Sequence, residues 1–152
     1  MYINKFVNVA WVLTFLLFFA VLTFGYAGLS EQLSLYGNSR LEREAFYYLA
    51  LVVFVLVNLP ALVLRRMLEA VPVSSGLYAR NEAFKERIIV WFGGFIVAIN
   101  ACLITLVSYL TQDAGNSERE LGFLGYLGPL LLLFSVLWFF SVLTSRRSFE
   151  VE

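Results

Sequence analysis

Four stretches of this chain contain no Asp, Glu, Lys or Arg: Phe6 to Ser30, Ala45 to Leu64, Ile88 to Gln112 and Leu121 to Ser145. Each has at least 20 residues. A helix rising about 1.5 Å per residue needs about 20 to cross the roughly 30 Å hydrocarbon core of a bilayer. Core helices of water-soluble domains are shorter and keep a polar stripe, which these runs lack. The expected fold is all-α: one integral membrane domain over residues 1–152, an up-down bundle of four transmembrane helices near 6–28, 40–66, 80–111 and 118–145. Composition agrees, with 61% hydrophobic residues against about 45–50% in an ordinary soluble domain. The first run exceeds the roughly 7–15-residue apolar core of a cleaved signal peptide, so it is read as a span.

The eleven basic residues sort by loop. Lys5, Arg65, Arg66, Arg80, Lys85, Arg87, Arg146 and Arg147 fall on one side, and only Arg40, Arg43 and Arg119 on the other. All loops are short, so the excess of Lys and Arg predicts that both termini are cytoplasmic. Tyr26, Tyr47, Tyr48, Tyr109 and Tyr126 lie near the outer helix ends, and Trp11 and Trp91 near the inner ends. Such rings prefer the membrane interface and are read as depth anchors. Formal net charge is zero, so nothing in the bulk electrostatics favours nucleic acid.

A polar string recurs outside the spans: "GNSRLERE" at 37–44 and "GNSERE" at 115–120. Ser39 with Glu42, and Ser117 with Glu120, have the spacing of a capping box, in which the hydroxyl and the carboxylate each accept from a free amide at a helix start. On this reading both strings restart helices two and four after an outer turn. Their separation, with that of Trp11 from Trp91 and of the two Arg-Arg pairs, suggests two helical hairpins in tandem. Topology alone would recruit the same markers. In the long inner loop, "RNEAFKERIIVW" extends helix three below the bilayer, with Glu82 and Lys85 as an i,i+3 pair. The bland account of that loop, topology charge on a solvated helix end, is preferred over lipid-headgroup binding.

Within the four runs no side chain is ionised, whereas proton relays, coupled transporters and voltage sensors place ionisable groups at membrane depth. Histidine is absent, the methionines are Met1 and Met67, and the one cysteine is Cys102. A haem ligand set, a catalytic metal site and a dithiol pair therefore all lack their atoms, and no cofactor or metal is expected. What remains is polar but neutral. Asn58 and Asn100 lie inside helices two and three, where interhelical hydrogen bonds are the ordinary reading and a polar substrate site the functional one. Pro60 frees the carbonyl of Leu56, which a nearby amide could satisfy. Gly94, Ala98, Ala101, Thr105 and Ser108 form a small-residue face that lets backbones approach. Helix three is thus expected at the centre and Phe-rich helix one toward lipid or a partner.

These observations favour a non-catalytic subunit or scaffold of a larger membrane complex, with other integral membrane proteins and the bilayer as partners. The alternative is a small oligomeric transporter or channel around Asn58 and Asn100. A lipid-acting enzyme using Glu42 or Glu86 ranks third, since catalysis needs a positioned acid or base.

Overall fold

The computed structural model describes residues 2–29, 32–34, 40–74, 78, 81–111 and 124–149. Helix α1 runs Tyr2–Gly28, α2 Arg43–Ala70, α3 Glu82–Thr111 and α4 Leu124–Phe149; strands β1, Gln32–Ser34, and β2, Arg40–Glu42, lie between α1 and α2. All four helices are long and apolar enough to cross a membrane. The strands pair antiparallel with Leu33 opposite Leu41.

The side-chain contacts give each helix its direction. Trp11 of α1 meets Asn58 of α2 while Arg43 reaches Leu29, so these two run antiparallel. Val7 lies at Gly93 and Gly25 at Thr111, so α1 and α3 run parallel. Gly94 lies at Trp138 and Gly128 at Cys102, so α3 and α4 oppose each other. The helices thus alternate up and down, and α3 packs against each of the other three, as its small-residue face predicts. The main packing of α4 is on α3, so the bundle is open rather than square.

Two close approaches explain this order. A Cβ on Gly128 would stand 2.8 Å from Cα of Cys102, and one on Gly93 would stand 2.6 Å from Cγ1 of Val7. At either crossing an added Cβ would force its neighbour to shift, and the close approach that glycine allows gains dispersion contacts. Toward the C-terminal ends of α1 and α3, Phe18 and Phe54 stack at 4.0 Å in a cluster with Leu22, Phe46 and Val107. Trp11, Ala61 and Ile96 fill the middle, and Tyr78, Phe84 and Val142 the opposite end, beside the start of α3. Helix α1 is therefore not simply an outward helix. Its Phe18 and Leu22 are fully buried, while Leu16 and Leu17 on the opposite stripe remain exposed.

Helix ends correct two sequence readings. α2 begins at Arg43, with Glu42 in β2 as its N-cap residue and no side-chain capping bond. Strand pairing engages the backbone of Arg40 to Glu42, so the Ser39–Glu42 capping box does not start this helix. Ser39, Ser117 and Glu120 lie outside the described residues. α3 begins instead on Asn81, whose Oδ1 accepts from the amides of Ala83 and Phe84 at 2.8 and 3.2 Å. Asparagine is among the best N-caps. Lys85 does not turn to Glu82 but donates to the carbonyls of Glu69 and Val71, both at 2.7 Å, and Tyr78 donates to that of Leu68. A cation at the free carbonyls of a helix end offsets the dipole there. Val71 is extended (ψ 126°), as the residue before Pro72 must be, so α2 stops. Burial pushes the Tyr78 phenol above its ordinary range.

Candidate functional site

Two polar levels sit inside the bundle. The first joins α1, α2 and α3 near their middles. Asn58 and Asn100 exchange amide hydrogen bonds, Nδ2 of each donating to Oδ1 of the other at 2.9 Å. The second hydrogen of Asn58 goes to the carbonyl of Phe54 at 3.0 Å, and that of Asn100 to Oγ1 of Thr14 at 3.2 Å. Trp11 Nε1 donates to Oδ1 of Asn58 at 3.0 Å, and Thr14 closes the set by donating to the Trp11 carbonyl at 2.7 Å. A primary amide has two donor hydrogens. Both asparagines have spent both.

The pairing places the two asparagines together, as their positions in the sequence suggested. Two details differ. The Asn58 amide satisfies Phe54, not the Leu56 carbonyl freed by Pro60. Trp11 is buried and hydrogen-bonded rather than anchored at an interface. Trp91 likewise turns inward, donating to the carbonyl of Ser135 at 2.8 Å and stacking on Phe95.

The second level was not legible in the charge-free runs. Arg65 is only 6% exposed. Its Nε donates to Glu69 at 3.2 Å, its Nη2 to Oδ1 of Asn4 at 2.8 Å and also to Oδ1 of Asn8, and its guanidinium lies 5.4 Å from the Trp11 ring centre. A loop cation in the sequence is thus a buried tie between α1 and α2. The missed signal was the pair of i,i+4 spacings, Asn4–Asn8 and Arg65–Glu69, each of which puts two side chains on one helix face. Glycine at 93 leaves room for the guanidinium, since a Cβ there would stand 3.3 Å from Nη1.

The other expected packing residues divide. Ala98 is buried in α3, and Ala101 lies under Gly128. Gly94 is half-buried against Trp138, and its Cβ would stand 3.3 Å from Cζ3. The tightest glycine of α3 is its neighbour Gly93. Glu42 and Glu86 are both exposed, at opposite ends of the bundle.

What this arrangement can do chemically is bind helices together. Replacing Asn100 with Leu is expected to cost about 0.6–2 kcal/mol, the range for interhelical hydrogen bonds in membranes, and Asn58→Leu a similar amount. Unfolding of single and double variants in mixed micelles checks this. The double variant should cost clearly less than the sum, because the first substitution already breaks the shared pair; strict additivity would mean that the amides act separately.

No protein family, curated protein or solved structure matches this chain.

Proposed function

We propose that this chain is an integral membrane bundle with both termini cytoplasmic, acting as a non-catalytic subunit or scaffold of a larger membrane assembly. The observation that carries the reading is the reciprocal Asn58–Asn100 pair. A polar substrate site at that level would keep donors turned to a cavity, whereas all four amide hydrogens here are donated to Phe54, Thr14 and the two asparagines themselves, and Oδ1 of Asn58 accepts from both Trp11 and Asn100. The bundle also presents a broad apolar exterior, with Phe24, Leu56 and Phe134 each at least 66% exposed. Water-soluble monomers rarely expose contiguous apolar surface on that scale; lipid and partner helices are its natural cover.

Purification in mild detergent tests the assignment. A defined stoichiometric partner is the expected result. A homo-oligomer that conducts ions after reconstitution, and stops conducting as Asn100→Leu while still folded, would defeat it in favour of transport. Orientation is checked separately with Asn38→Cys and Gly76→Cys in a Cys102→Ala background. An impermeant thiol reagent applied to whole cells should label position 38 and spare position 76, as the basic residues predict. The reverse pattern overturns the orientation.

A further inference from the structure

Between α1 and α2 a cleft of about 510 Å³ opens on the outside of the bundle. Its walls are Val12, Leu16 and Leu62, and its far end carries Arg65, Arg66 and Glu69. The volume lies within the roughly 300–1,000 Å³ of ordinary ligand sites. We propose that this cleft holds one anionic phospholipid, its phosphate at the two arginines and one acyl chain along the apolar walls. The proposal rests on the membrane reading above.

Charge and length argue for that occupant. Glu69 is shared between the arginines, 3.2 Å from Nε of Arg65 and 3.5 Å from Nη1 of Arg66. Two guanidinium groups therefore meet one carboxylate, and the excess charge is positive. The Arg66 side chain is 79% exposed, so it is free to turn to a phosphate, while Arg65 is fixed beneath it by Asn4, Asn8 and Trp11. α2 has 28 residues, about 42 Å at the helical rise, which exceeds the roughly 30 Å hydrocarbon core. A centred α2 puts Arg65 and Arg66 where that core meets the headgroups. Along α1 the cleft runs from Asn8 to Leu16, about 12 Å. That fits within one leaflet, about 15 Å of hydrocarbon. A partner's spanning helix would want a groove along the whole core, and an uncharged chain would have no use for the arginines.

Native mass spectrometry of the full chain, released from detergent after addition of phosphatidylglycerol or phosphatidylcholine, tests the proposal. Phosphatidylglycerol should be retained about fivefold better, the factor corresponding to one basic residue near an anionic surface. Arg66→Gln should remove that preference. Leu62→Trp should fill the cleft and reduce retention of both lipids, with the helix content by circular dichroism unchanged. Equal retention of the two lipids, a preference that survives both substitutions, or crosslinking of Val12→Cys to a second protein chain would each overturn the lipid assignment. If the native chain is instead stripped from membranes by alkaline carbonate, the membrane reading itself falls, and this inference with it.

Discussion

Gly128→Leu is expected to separate α4 from α3 and to be among the most disruptive single substitutions in the chain. Even the first carbon of a new side chain would stand 2.8 Å from Cα and 2.9 Å from the amide nitrogen of Cys102, and 3.1 Å from the carbonyl carbon of Ala101. These are backbone atoms of a central helix, and they have no rotamer by which to yield. Overpacking commonly costs about 1–3 kcal/mol and sometimes more; leucine at this crossing should reach at least the top of that range. The neighbouring contrast makes the test sharp. Gly94→Ala meets only the ring edge of Trp138 at 3.3 Å, and alanine gains up to about 1 kcal/mol in helix propensity, so it should be nearly neutral. Unfolding in mixed micelles, with helix content followed by circular dichroism, reads both. Equal midpoints for wild type and Gly128→Leu would mean that the α3–α4 crossing is not as close as described.

Arg65→Met should cost about 3 kcal/mol. Removing one partner from a buried pair typically costs about 3–5 kcal/mol because the other charge is left uncompensated. The low end applies here because Glu69 is about a third exposed, 34%, and keeps Arg66 nearby. The same substitution strips the donors from Asn4 and Asn8, so α1 loses its polar tie to α2 at its N-terminal end. Arg65→Lys should recover little, since an ammonium cannot reproduce the fork that serves Glu69 and two amides together. Adding Glu69→Gln to Arg65→Met should restore part of the loss, because the residual charge is gone. A measured cost for Arg65→Met within about 0.5 kcal/mol of zero, the level of an ordinary surface change, would show that the guanidinium is not a tie at all.

The four helices were legible from the absence of charge over at least 20 residues, because a bilayer sets both the length and the polarity of anything that crosses it. The centrality of α3 was legible too, since lipid offers no hydrophobic drive between helices and small residues mark where backbones meet. The partners of a polar side chain were less so: Asn58 and Asn100 could be suspected of pairing, but nothing in their spacing named Trp11 and Thr14 as the groups that complete the set. Helix starts were misread where pairing in space intervened. The Arg40–Glu42 segment joins a strand because Gln32–Ser34 lies beside it, a fact that no capping pattern contains. Lys85 crosses to the end of α2 for the same kind of reason. Arg65 is the clearest case. In sequence it ends a charge-free run and counts toward topology; in the folded chain it is buried, because Asn4 and Asn8 arrive from a helix 57 or more residues away. Local rules govern which segments become helices, since those depend on neighbours a few residues apart. Only the packed structure decides which charges are buried, since that depends on which faces of distant helices are brought together.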